Sequence, residues 1–360
     1  MPATTDITTY FVPPADAPAQ PATLVAPDGR LQTGRFTRPY DMGDLRHCMA
    51  LHGQVRTAIG LPRLIEWYGC GMAHPEMYVA VIVVQAQAMS FTVVYGVDRR
   101  SGERFSHHLI GRSSCAVVSP SPWAGRTEFS SRRGHVHMAH DLAHARHTVT
   151  LELARHGPSP AVHGTVVWHE DLARSPALVA LAPHNPWNRG HFVYNHKAQM
   201  PISGSLQIGE RTLTYDPARD IANLDEVRSH LGLRNHYTWF NFGGIDPQGR
   251  IVGLNASDNQ QRHPEWGCEN AIWAGDNLTV LGPVRLDFNP RDLDAPWLGR
   301  DAAGRMDVTF TPQGGMELRL GPLGQYHQKC GVFNGTLRDG HGEIHTVRDY
   351  VGCVEYMAVL

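Results

Sequence analysis

The chain has 360 residues, 42% of them apolar and 18% charged, with a formal net charge of −2. That length suffices for two domains or one large β-structure, and the apolar content excludes a generally disordered chain. A charge so near neutral gives no overall attraction to nucleic acid or anionic lipid, so a nucleic-acid partner is not expected.

No stretch approaches the roughly eighteen apolar residues of a membrane span. The longest, at 77–89, is interrupted by Gln85 and Gln87 and reads as a buried strand. The amino terminus has no basic region followed by an apolar run, so no secretory signal is visible. Cys48, Cys70, Cys115, Cys268, Cys330 and Cys353 lie far apart, which suits reduced, mostly buried thiols in a cytoplasm.

Residues 1–34 carry Pro13, Pro14, Pro18, Pro21 and Pro27 among Ala and Thr and read as an extended arm or a partly disordered lead-in, not a domain. A turn at APDGRLQTG (26–34) hands over to the ordered chain, and residues 43–60 admit a short helix. From Arg63 the pattern becomes short strands separated by Gly, Pro and Asp turns, including Asp98-Arg99-Arg100-Ser101-Gly102. Helical periodicity is scarce, so the class is all-β, a sandwich or barrel. Pro183 and Pro186 break the rhythm, and the same texture resumes after them. The natural division is a first barrel-like domain over 35–182 and a second over 183–360.

Residues 191–273 mix rings and hydrogen-bonding groups into strand-like runs. In Asn235-His236-Tyr237-Thr238-Trp239-Phe240-Asn241 neither alternating face is plain core. A wall of this kind suits a ligand cavity. Tyr194, His236, Tyr237, Trp239, Asn241, Asn255, Asn270 and Trp273 are its candidate lining, with the alternative that the rings simply fill barrel interior.

Asp225, Glu269 and Glu355 each sit in an apolar or aromatic stretch, where enclosure raises a carboxyl's pKa and makes it a proton donor. Glu269 and Asp225 are the first candidates; ion pairing with nearby cations is the competing reading. Lys197 is read as the counter-charge of Asp225 or Glu269 rather than as a Schiff-base amine. His196, next to it, points the other way in a regular strand, so one of the two faces the cavity and partners the acid.

His135 and His137 share a strand face at a spacing that can chelate zinc, but no third ligand stands at a matching position, and no metal is assigned. His140, His144 and His147 would align on a helix, yet their flanks are strand-like. His327 is a weaker candidate for a second cavity. No dinucleotide fingerprint, P-loop, zinc-protease motif, nucleophile elbow or paired-cysteine motif is present, so no cofactor is expected.

The motifs PDGRL, IEWYG, HKAQMPISG, YTWFNFGG, CENAIW, QKCGVFNG and GCVEYMAV occur in this order over most of the chain. In order and spacing the chain resembles the domain-of-unknown-function 2804 family. The resemblance implies a calycin-like fold of two lipocalin-related β-domains, an architecture shared with carotenoid 1,2-hydratases and certain fungal cyclases and Diels–Alderases that bind hydrophobic substrates. Where that family tends toward an aromatic-rich run, residues 225–236 read DEVRSHLGLRNH, which implies a more polar cavity.

The reading that joins these observations is a cofactor-independent lyase or isomerase (hydratase, dehydratase or cyclase) acting on a hydrophobic small molecule by general acid–base catalysis. Its rivals are a lipocalin-like carrier of a lipid-like ligand and, more weakly, a His-ligated metalloenzyme. A homodimer is compatible with the sequence.

Overall fold

The computed structural model describes residues 7–16, 20–45, 47–52, 64–184, 190–231, 235–258, 269–319 and 324–359. Cys268 and part of the 43–60 segment lie outside the described residues; Met49–His52 forms the one α-helical turn among those described. Of the described residues 64% are strand and 4% helix, in a nearly closed barrel and a half-barrel sheet, which settles the all-β class.

Among the described residues the first sheet has 15 strands and the second has 9. In the first, Leu64–Ala73 is flanked by Met77–Gln85 on one side and Ile221–His230 on the other. Ile221–His230 in turn carries Phe192–Lys197 along its carboxyl half and Gln199–Pro201 along its amino half. The second sheet runs through Ile251–Asp258, Asn235–Ile245, Ile344–Val359, Gly324–Arg338 and Met306–Arg319. The sheets therefore divide between His230 and Asn235, and the junction expected at 182/183 falls inside the first sheet. There Leu178–Pro183 and Phe192–Lys197 pair directly as antiparallel neighbours. Prolines at a strand end are compatible with continued pairing because the ladder resumes beyond them.

Alternation builds three layers of packing. Inward-facing Val79, Val81, Met138, Leu151, Trp168, Ile202 and Leu224 fill the first core. Phe240, Phe242, Leu254, Phe310, Phe333 and Val354 fill the second, with Phe242 stacked on Phe333 at 4.3 Å. Between the sheets lie Tyr78, Val93, Tyr95, Trp239, Cys330 and Cys353. The polar turn between Asn235–Ile245 and Ile251–Asp258 is closed by Asp246, whose Oδ1 accepts the Gln248 and Arg250 amides, and Gly249 takes φ +78 there.

The described part of the amino-terminal arm is packed against the body of the chain. Phe11–Val12 pairs with Leu31–Gln32, and Tyr10, Phe11, Leu24 and Leu31 are buried with Tyr40, Leu181, Phe192 and Tyr194 in a further core. Enough apolar side chains sit among its prolines to repay the ordering of the chain.

Candidate active site

On Phe192–Lys197 and Ile221–His230 the two faces of the strands carry different chemistry. One set (Tyr194, His196, Leu224, Glu226, Arg228) is turned away from the second sheet; the other (Asn195, Lys197, Asp225, Val227, Ser229) is turned toward it, together with Trp67. The second sheet answers with Asn235, Tyr237, Trp239 and Glu355. Between them is a cleft of about 440 Å³ including its mouth. A second lobe, about 480 Å³ with its open mouth included, shares Asp225, Trp239 and Glu355 with it. The hollow thus lies between the sheets, not inside one barrel.

Asp225 and Glu269 are not mateless. Lys197 Nζ pairs with Asp225 Oδ1 and lies 3.5 Å from Glu269 Oε2. The same ammonium sits 4.9 Å from the centre of the Trp239 ring, and Trp67 Nε1 donates to Asp225 at 2.9 Å. A desolvated ammonium demands this company.

Glu355 is different. It stands directly opposite Trp239 on one neighbouring strand and Gln328 on the other. Its Oε2 accepts the Tyr237 hydroxyl at 2.9 Å, while its Oε1 accepts the Tyr326 hydroxyl at 2.7 Å and the Gln328 amide. Gln328 is held in that orientation because its own oxygen accepts the Tyr95 hydroxyl. No Lys, Arg or His pairs with Glu355 among the described residues. Burial, reinforced by the charge of Asp225 and opposed by the three donors, pushes its carboxyl up to about 7. With both lone-pair directions of Oε1 taken and one at Oε2 open, the proton of the neutral acid belongs on Oε2.

The remaining expected site residues are placed elsewhere or are otherwise engaged. Tyr237 and Trp239 do line the cleft. Asn241 and Asn255 are fully buried behind it in a closed chain: Gln199 donates to Asn241, Asn241 and Trp239 donate to Asn255, and Asn255 donates to the Glu269 carbonyl. Asn270 braces backbone, accepting the Ser257 amide and donating to the Gly282 carbonyl. Trp273 is buried with Leu178 and donates to the Pro176 carbonyl. His236 is exposed on the opposite face against Tyr356, and Tyr194 belongs to the amino-terminal core beside Tyr40. His327 bonds Gln325 and lines neither lobe.

His196 lies on the strand face opposite the cleft. Its Nδ1 meets Glu226 and its Nε2 meets Glu170, both at 2.8 Å. Glu170 also holds His147, which contacts His140, and Glu226 accepts from Arg228, itself paired with Glu66. Burial disfavours the His196 cation, yet Glu170 and Glu226 outweigh it and push the imidazole up to about 9. His140 and His147 thus sit on paired strands of a hairpin, as their strand-like flanks predict. The rings of His135 and His137 are 6.1 Å apart. Among the described residues three ligand groups come together only at Asp339, Glu343 and His345. There Asp339 already binds the His341 and Glu343 amides, and Glu343 pairs with Arg250.

Trp67, His184, Asn195, Ser229, Tyr326 and Gln328 belong to the cleft without having been expected there. For Trp67 a signal existed in IEWYG, a tryptophan beside a glutamate in a strand. For Tyr326 and Gln328 none did, because their role depends on the carboxylate across the ladder.

No described helix is long and apolar enough to cross a membrane. A family model described as "Domain of unknown function (DUF2804)" matches residues 16–359. Among solved structures, the chain is similar to kievitone hydratase from Nectria haematococca, with a TM-score of 0.51 at 11% identity over 82% of this chain and 88% of that one. An ATTH-type protein from Nitrosomonas europaea gives a TM-score of 0.53 at 10% identity over 83% of this chain and 93% of its own. Identities this low establish the fold alone, a two-domain calycin-like one. A Ruegeria pomeroyi protein named glucose-6-phosphate isomerase is 24% identical over 225 residues, which is 55% of this chain. The chain spans about 40% of that relative's length.

Proposed function

The chain belongs to the DUF2804 family, whose description names no reaction, and from the cleft itself we propose a cofactor-independent enzyme of the hydratase, dehydratase or cyclase kind. A small, largely apolar molecule would occupy the space between the sheets, and Glu355 would pass a proton to or from it at Oε2. The observation that carries this reading is a buried carboxyl on the cleft wall, bonded to Tyr237, Tyr326 and Gln328 and to no cation among the described residues. Poised near 7, it is present in both protonation states at neutral pH, as an acid–base catalyst requires. Burial, and after it the charge of Asp225, keeps the proton on Glu355, and Lys197 holds Asp225 in place. Positioned proton transfer of this kind contributes about 10² to 10⁴ in rate. A neighbour in fold carries the name of a hydratase, which agrees with the class.

A sugar phosphate, suggested by the name of the Ruegeria relative, fits poorly. It would need a cationic cradle, and Lys197 is already shared by two carboxylates. Free cysteines, buried at Cys48, Cys70, Cys330 and Cys353 and half-buried at Cys115, suit a reducing compartment such as the cytoplasm.

One observation favours a carrier without chemistry: Asp225 and Glu269 are both tied to Lys197. Incubation with a metabolite extract in D₂O separates the two. An enzyme converts a retained compound, adding or losing water or gaining carbon-bound deuterium, and Glu355→Gln lowers that turnover at least 100-fold while the compound still binds. A carrier returns its ligand unchanged from both proteins, and that result ends the enzymatic reading.

A further inference from the structure

The second lobe contains a side chain that no role so far uses. Asn223 is 2% exposed and lines this lobe two residues before Asp225. Neither its Oδ1 nor its Nδ2 has a hydrogen-bond partner among the described residues. The reason lies in its cross-strand neighbours. On one side it faces Gly71, which offers no side chain; on the other it faces Gln199, whose amide is turned away to Asn241 at 3.1 Å. Asn241, Asn255 and Gln328 each have both ends engaged, and Gln199 and Asn235 each lack a partner at the oxygen alone among the described residues, so Asn223 stands apart in having both ends open. A buried amide left with an open donor and an open acceptor is an expensive arrangement unless something completes it.

Around Asn223 the lobe is apolar: Ala80, Ile82, Val93 and Met316 form its wall, and Tyr78 closes one side. Gly71 makes that possible, since a Cβ there would collide with the Tyr78 hydroxyl. The carboxyls of Asp225 and Glu355 also border the lobe, so an anionic group would meet like charge in a poorly solvated space.

We propose that this lobe is the recognition subsite for a neutral hydrophobe bearing a carbonyl or hydroxyl oxygen, which docks on the Asn223 amide with its carbon frame against the apolar wall. An oxygen function supplies what the amide lacks: a carbonyl accepts from Nδ2, and a hydroxyl also donates to Oδ1. The inference rests on the reading of the cleft as a ligand site and narrows it to oxygenated, uncharged molecules. It places the substrate's oxygen on the first sheet and Glu355 on the second, so that one molecule spans both walls.

The test compares acetophenone, benzyl alcohol, ethylbenzene and benzoate as probes, with binding to the full chain read by ligand-observed NMR. Acetophenone and benzyl alcohol should bind the native protein about 10- to 100-fold more tightly than ethylbenzene, and benzoate should bind weakest. Asn223→Leu, nearly isosteric, should erase the preference for the oxygenated probes while ethylbenzene binds as before. Should that variant fail to fold, the Asn223 side-chain amide resonances of the native protein serve instead; they should shift with acetophenone and not with ethylbenzene. A preference that survives Asn223→Leu, or amide resonances unmoved by acetophenone, overturns the role of Asn223 and leaves the cleft reading intact. If none of the four probes binds the native protein, the cleft reading falls, and this one with it.

Discussion

Replacing Glu355 by glutamine should change how stability depends on pH, and by a calculable amount. In an unfolded chain this carboxyl ionises near 4.5, whereas in the fold it keeps its proton to about 7. Between those values the folded chain binds the extra proton, so native stability falls as pH rises through that window and levels off above it. At 1.36 kcal/mol per pH unit, the interval amounts to about 3 kcal/mol. Glu355→Gln removes the ionisation while retaining the shape and an oxygen that accepts from Tyr326 and Gln328. The groups facing it, Asp225 with its partner Lys197, Tyr237, Tyr326 and Cys353, are present in both proteins, so subtraction isolates the one carboxyl. Urea denaturation of both proteins from pH 4 to pH 9 provides the difference curve. The native protein should lose about 3 kcal/mol relative to the variant between pH 4.5 and 7.5 and nothing further above that. Parallel curves would mean that Glu355 titrates as an ordinary carboxyl, and its assignment as the proton-transferring group would fail.

Lys197→Met removes the cation shared by Asp225 and Glu269 from a site where Glu269 and the lysine are nearly inaccessible, and should destabilise by about 3 kcal/mol or more at pH 8. The deficit should shrink in acid, where carboxylate charge in the site matters less; a deficit that stays equal at pH 5 and pH 8 refutes the pairing. Glu170→Gln should lower the His196 pKa from its value of about 9, visible in the imidazole NMR titration. Because a raised imidazole stabilises fully below about 6.5 and loses that contribution as pH climbs through about 9, the variant's deficit should be larger at pH 6 than at pH 10. Ligand selectivity should stay unchanged, since this cluster lies on the strand face turned away from the cleft.

Much of the architecture was legible in local pattern. Alternation along MYVAVIVVQ and NHYTWFNFGG, with Asp-and-Gly turns between runs, is a property of neighbouring residues and of the two-residue period of a strand. The same period correctly predicts that His196 and Lys197 part company, and charge neutrality anticipates the bond of Lys197 to Asp225. The division into sheets was less legible. Trp67 and Asp225, joined at 2.9 Å, stand 158 positions apart, and no proline or glycine near 182/183 reports that the ladder continues past it.

The acid itself shows the boundary most clearly. Asp225, Glu269 and Glu355 look alike in sequence, each a carboxylate in an apolar run. Which of them keeps its proton depends on what surrounds it, and those surroundings are assembled from afar. Tyr237 reaches Glu355 across 118 residues and Tyr326 across 29, while Lys197 goes to the other two acids. Strand formation is decided by a residue's nearest neighbours along the chain, and so sequence determined it; ionisation is decided by neighbours in space, which only the packing of one sheet against the other supplies.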